Sequence, residues 1–113
     1  MTQPARSVDA VMVSVRRCVD DAWPGLVECS LVDTSGREWL FIEKAPVVTG
    51  HASLGNDDSY PQPGIIACLI LAIRSEASGP RVATISTERP WDVKSTTGHK
   101  EFQVLYEQLT KVT

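Results

Sequence analysis

The residues able to do covalent or acid–base chemistry are few: two histidines, His51 and His99, and three cysteines, Cys18, Cys29 and Cys68. His51 stands in Gly50-His51-Ala52-Ser53-Leu54-Gly55, whose spacing departs from the Gly-x-Ser-x-Gly of a serine nucleophile elbow and which joins no strand to a helix. His99 falls at the first turn of an expected C-terminal helix and reads as a solvent-exposed imidazole. A general base needs a positioned partner, and neither histidine carries that signature. No His-Glu-x-x-His, zinc-spaced Cys and His, Walker loop or Gly-x-Gly-x-x-Gly occurs. Asn56-Asp57-Asp58-Ser59 offers oxygen ligands without the alternating acidic spacing and distal Glu of a calcium loop, and reads as a solvated acidic loop. Each cysteine sits in an apolar stretch, as buried reduced thiols do. Cys68 lies in the most apolar segment, where burial raises the thiol pKa and removes the reactive thiolate. The expectation is a chain with no catalytic residue, no metal site and no cofactor.

What the sequence offers instead is a binding surface. Trp23, Tyr60 and Trp91 each adjoin a proline in an irregular segment, as Trp23-Pro24-Gly25, Tyr60-Pro61 and Pro90-Trp91-Asp92. Their acidic neighbours are Asp20, Asp21, Asp57, Asp58 and Asp92. Aromatic residues are over-represented at interface hot spots. Set against that is the plainer reading that these rings fold back to plug the ends of a small core. Charge is uneven along the chain: residues 1–64 hold 5 basic and 9 acidic groups, net -4, and residues 65–113 hold 6 and 5, net +1. An acidic face of this kind suits a basic partner.

The elements that must position these residues read mostly as strands. Val8 to Trp23 fits a helical face and a strand face alike. Four valines at 11, 13, 15 and 19, with no strong helix former among them, favour a strand from about Val11 to Val19. Trp23-Pro24-Gly25 turns the chain, and Leu26 to Asp33 alternates as a second strand. Counting across an Ala22–Gly25 loop sets Cys18 opposite Cys29, where a disulfide is conceivable but is disfavoured in a reducing compartment. Asp33-Thr34-Ser35-Gly36 is a type I turn closed by a glycine. With Asp33 facing Arg37, Leu31 lies opposite Trp39 and Cys29 opposite Phe41 on the core face. Thr49 to Gly64 is a long polar loop, of the length that is usually functional or disordered. Ile65 to Ile73 follows as an unbroken apolar strand, expected to be buried on both faces at the centre of the sheet. Arg81 to Thr87 is a fifth strand and Val93 to Ser95 a short sixth. From His99 to Lys111, Phe102, Leu105, Tyr106, Leu109 and Val112 make a helical stripe capped by Thr97 or Gly98.

Together these predict an α+β, mainly β fold: an antiparallel meander of five or six strands with a C-terminal helix packed on one face. The 113 residues read as a single domain behind a loosely ordered polar lead over residues 1–8. Parallel α/β folds are excluded because no helices alternate with the strands. With 42% hydrophobic residues and a net charge of -3 the chain is not a disordered tail. Its 11 basic against 14 acidic residues disfavour nucleic acid as a partner. The longest apolar run, Ile65 to Ile73, falls far short of the roughly 20 residues of a membrane span. The opening residues lack the pattern of a secretory signal, so a cytoplasmic location is expected.

Val27-Glu28-Cys29-Ser30-Leu31-Val32-Asp33, the Trp39–Pro46 segment, Tyr60-Pro61-Gln62-Pro63-Gly64 and the run from Ser86 to Gly98 resemble small β-rich bacterial proteins to which no chemistry is attached. In size, acidity and lack of catalytic residues the chain is also similar to immunity proteins of bacterial toxin systems. That resemblance implies a protein that occludes a basic nuclease or other toxin domain. The expected function is therefore a non-enzymatic protein-binding module, an immunity-type or antitoxin-like inhibitor. Two alternatives stand beside it: a small-molecule binder or enzyme using residues 49–64 as a lid with His51, Asp57 and Asp58, and a homodimer that covers an exposed sheet face or edge with its twin.

Overall fold

The structure, a computed structural model, describes residues 8–49, 53–75 and 77–112. The polar lead over residues 1–7 and His51 of the candidate lid lie outside the described residues. The fold is mainly β and antiparallel, as the strand patterns require, and carries eight strands in two sheets among those residues. They are β1 (Val8–Asp20), β2 (Leu26–Val32), β3 (Glu38–Lys44), β4 (Gln62–Ala67), β5 (Leu69–Ser75), β6 (Arg81–Ser86), β7 (Glu101–Leu105) and β8 (Leu109–Val112). One helical turn, α1 (Ala45–Thr49), follows β3.

The first sheet runs β3-β2-β1-β4, with β8 also paired to β1. At thirteen residues, β1 is long enough to hold β8 along its first half and β2 along its second. Its valines explain this: Val11, Val13 and Val15 are buried on one face at period two, while Met12 and Arg16 point outward. The β2–β3 hairpin has the expected register, with Leu31 opposite Trp39 and Cys29 opposite Phe41. Its turn is held by Asp33, whose Oδ1 accepts the N–H groups of Ser35 and Arg37 and whose Oδ2 accepts the Trp39 indole at 2.9 Å.

The second sheet runs β5-β6-β7. The core lies between the two sheets, where Val15, Val27, Leu31, Phe41 and Ile66 of the first meet Ala83, Ile85, Phe102 and Val104 of the second. Phe41 and Phe102 meet edge to face at 5.6 Å, the arrangement ring quadrupoles favour. Burial of such a ring is worth roughly 1.5–3 kcal/mol.

Five expectations are corrected here. The single meander of five or six strands is instead eight strands in two sheets among the described residues. The C-terminal helix is absent: its span forms β7, a 3-10 turn at Tyr106–Gln108, and β8. Two short strands separated by one tight turn shift phase between Val104 and Leu109, and the composite imitates a 3.6-residue period. The unbroken strand Ile65 to Ile73 is two strands, parted at Cys68, whose N–H donates to the Asp9 carbonyl at 2.9 Å while the chain crosses between sheets. A run of apolar residues carries no period and so hides such a crossing. Residues 93–95 form no strand, although Thr96 donates its N–H to the Leu40 carbonyl along the edge of β3. Finally, bulges between Val15 and Arg17 and between Cys18 and Asp20 shift the first hairpin. Val15 faces Cys29 and Cys18 faces Val27, and all three thiols are free.

Candidate functional site

The β1–β2 turn and the loop before β4 are bound to each other at one end of the first sheet. Asp20 Oδ1 accepts the Ala22 N–H at 2.9 Å and starts the turn. Trp23 and Pro24 share a cis peptide bond, and Gly25 closes the turn with φ 99°, donating to the Ala22 carbonyl at 2.8 Å. A Cβ on Gly25 would fall 1.8 Å from the Leu54 carbonyl oxygen, so only glycine lets the two loops approach. Leu54 donates its N–H to the Pro24 carbonyl at 3.0 Å, and Asn56 donates its own to Asp21 Oδ1 at 2.9 Å. Within the second loop, Asp58 Oδ2 accepts the Gly55 N–H at 2.8 Å and the Tyr60 hydroxyl donates to the Gly55 carbonyl at 2.9 Å.

This stitching brings Asp20, Asp21, Trp23, Asp58 and Tyr60 together, with Asp57 exposed in the same turn as Asp58. Trp23 is 85% exposed, the most exposed large hydrophobic residue among those described. Tyr60 is half-buried against the core instead. A cleft of about 180 Å³ opens between the loops, lined by Asp21, Trp23, Leu54 and Asp58. None of Asp20, Asp21, Asp57 and Asp58 forms an ion pair among the described residues. Their shared field reaches neighbouring groups. The Cys18 thiol is pushed up by desolvation first and then by the Asp21 charge; a hydrogen bond to the Asp20 backbone opposes this, and the Asp20 and Asp58 charges add smaller increments. The Tyr60 hydroxyl is raised by desolvation, then by the Cys18, Asp58 and Asp21 charges.

Trp91 and Asp92 occupy a separate loop. Asp92 takes the left-handed region at φ 51°, and Lys100 holds its carboxylate at 2.8 Å. That cation, by hydrogen bond and then by charge, keeps the Asp92 carboxyl below its usual range. Asp92 is thus already neutralised within the chain, unlike the four aspartates of the first group. Trp91 is 41% exposed. The loop is anchored by Thr87, fully buried, whose hydroxyl donates to the Val93 carbonyl while its N–H donates to the Lys100 backbone carbonyl at 2.8 Å. The Asp92 charge is felt by Glu43, which pairs with Val27 near the start of β2.

Sequence reasoning passed over Glu43. It shares the inward face of β3 with Trp39 and Phe41, and desolvation, followed by the Asp92 charge, pushes its carboxyl above the usual range. Strict alternation along Trp39-Leu40-Phe41-Ile42-Glu43 carried that signal. It also passed over Thr87 and Ser95, the buried polar residues that shape the second loop. His99 packs at a tilt of 57° against Trp39, with ring centroids 4.7 Å apart, and shares a hydrogen bond of 3.0 Å with Thr97 through Nδ1. Cys29 and Cys68 are both pushed up to about 12, chiefly by desolvation. Thiols so raised are protonated and unreactive at neutral pH. Among the described residues no group of three His, Cys, Asp or Glu could hold a metal ion, and no helix is long and apolar enough to cross a membrane.

Comparison with protein-family models, with curated proteins and with solved structures finds no match.

Proposed function

We propose that this chain is a non-enzymatic protein-binding module of the immunity type, an inhibitor that occludes a basic partner protein such as a toxin domain. The observation that carries the reading is Trp23, 85% exposed beside four aspartates that form no ion pair among the described residues. An indole so exposed adds nothing to the core, yet it offers one of the largest contact areas of any side chain to a partner. Hydrogen bonds fix the backbone of both loops and the Asp20, Asp21 and Asp58 carboxylates, so little backbone entropy remains to be lost on binding. Uncompensated negative charge speeds encounter with a basic surface and selects against acidic ones.

The test is affinity capture with the wild-type chain beside Trp23→Ala and an Asp21→Asn, Asp57→Asn, Asp58→Asn triple variant. A stoichiometric basic protein held by the wild type and lost with both variants supports the proposal. Capture unchanged by the variants, or a wild-type chain that holds no stoichiometric partner, overturns it.

One observation favours the small-molecule alternative. A mainly apolar groove of about 490 Å³, lined by Met12, Val48, Thr49, Pro63 and Ile65, adjoins the start of the 49–64 segment and lies within the usual size of ligand sites. A thermal-shift screen with metabolites and metals tests it, because a ligand of the folded state must raise the melting temperature. No shift with any of them removes that support.

A further inference from the structure

The strand β5 contradicts its own sequence. Leu69-Ile70-Leu71-Ala72-Ile73 is an uninterrupted apolar run, the pattern of a strand buried on both faces, yet all of it but Ile70 is exposed. Among the described residues it also pairs with one strand only, because β5 forms the edge of the β5-β6-β7 sheet. Leu69, Leu71 and Ile73 remain 46%, 52% and 47% exposed, and only Ile70 of the strand packs against the core. Edge strands are ordinarily shielded by lysine, proline or inward charge. Residues 69–73 have none of these. A bulge interrupts the pairing, with Ile70 facing Ile85 and Ala72 facing Thr84, so that Leu71 is left without a partner on β6. Bulges commonly turn an edge away from other chains, but this one presents a leucine.

We infer that β5 is the pairing edge of a two-fold homodimer, in which the β5 strands of two copies run antiparallel and join their three-stranded sheets into one of six. The occupant follows from the self-complementarity of the strand. Centred on Leu71, a two-fold sets Leu71 against Leu71, Leu69 against Ile73 and Ile70 against Ala72, so apolar residues meet apolar residues throughout. The two Arg74 side chains then lie at opposite ends of the ladder, about 20 Å apart, with no like charges facing each other. The opposite edge of the sheet is engaged within the chain, where Thr34 donates its N–H to the Gln103 carbonyl of β7 at 2.9 Å. A two-fold through β5 therefore closes at two copies and does not propagate. A five-residue ladder over Leu69–Ile73 spans roughly 17 Å and makes a contact at the low end of interface sizes, so weak dissociation, in the range of tens of micromolar, is expected.

The test uses the full chain in a dilution series from about 100 µM to about 1 µM, followed by light scattering and sedimentation. Twice the chain mass at the high end, falling to one chain mass on dilution, is expected. Leu71→Lys and Leu71→Glu each place two like charges at the centre of the ladder and remove its central apolar contact. Each weakens self-association by about a hundredfold or more. Leu71 is half-exposed in the single chain, so both variants keep the wild-type circular dichroism and melting curve at low concentration. Mixing them restores a dimer of one copy of each. A wild type that stays a single chain at 100 µM overturns the inference, as does a dimer indifferent to both substitutions or variants that fail to associate when mixed.

Discussion

Asp21 Oδ1 accepts the backbone N–H of Asn56 at 2.9 Å, joining loops thirty-five residues apart in sequence. A Cβ on Gly55 would stand 2.2 Å from that same oxygen. One carboxylate thus both fixes the loop and supplies negative charge to the exposed end. The two roles separate by substitution. Asp21→Asn keeps an acceptor oxygen and removes the charge, while Asp21→Ala removes both. Asp21→Ala should cost about 1 kcal/mol in urea denaturation and speed hydrogen exchange at the Asn56 amide, with Asp21→Asn closer to wild type in both. Gly55→Ala should resemble Asp21→Ala, since the added methyl displaces the carboxylate. Equal losses for Asp21→Asn and Asp21→Ala would show that charge, and not the acceptor, holds the loops.

Trp23 is where stability and binding should part most clearly. Its ring is almost wholly in solvent, so Trp23→Ala should leave folding stability within about 0.5 kcal/mol of wild type. Its loss at a hot spot should weaken a captured partner by about 2 kcal/mol, roughly thirtyfold in dissociation constant. Denaturant melts and titration calorimetry measure the two effects separately. A stability loss well above that range would mean that the indole is part of the fold.

How much of this was legible depended on whether a local signal set the register. Asp33-Thr34-Ser35-Gly36 did so for β2 and β3, and every pair from Leu26 with Lys44 to Val32 with Glu38 follows from that turn. Nothing comparable marks the bulges beside Arg16 and Val19, so the first hairpin was counted into the wrong register. The same limitation hid the crossing at Cys68, because apolar residues are equally at home on either side of it. The prolines beside Trp23 and Tyr60 announced irregular segments. Their meeting through Asp21, Leu54 and Asn56 is a tertiary fact that no spacing encodes. Lys100 illustrates the converse, since its pairing with Asp92 removes a charge that sequence alone would count as available.

Asp33 should make the β2–β3 hairpin sensitive to acid. Desolvation pushes its carboxyl up, but hydrogen bonds from Ser35, Trp39 and the Arg37 and Ser35 amides outweigh this and hold it below its ordinary value. A carboxyl held lower in the folded chain than in the unfolded one binds fewer protons when folded. Its stabilisation is therefore complete above the unfolded value, near 4, and is lost as pH falls through the lower folded value. Asp33→Ala should lower the melting temperature at pH 7, with the gap from wild type closing as pH approaches 3. A gap that is constant over that range would assign the effect to turn geometry alone.

Glu43 should act with the opposite sign. Desolvation and the neighbouring Asp92 charge raise its carboxyl above the ordinary value, so the folded chain binds its proton more readily than the unfolded chain. The associated stability is complete below the unfolded value, near 4.3, and is lost as pH rises through the raised folded value. Ionising this half-buried carboxyl on the core face of β3 therefore costs the folded chain more than the unfolded one. Glu43→Gln keeps the shape and removes the ionisation, and should raise the melting temperature at pH 7 while leaving it near wild type at pH 4. Because Asp92 is one cause of the shift, Asp92→Asn should bring the Glu43 carboxyl part of the way back toward its ordinary value, read by carboxyl carbon chemical shifts across a pH titration. Lys100 faces Asp92 directly, and its removal should move Glu43 further up by leaving the Asp92 charge uncompensated. A Glu43 titration indifferent to both substitutions would assign the shift to desolvation alone and detach the Trp91 loop from the electrostatics of this end of the sheet.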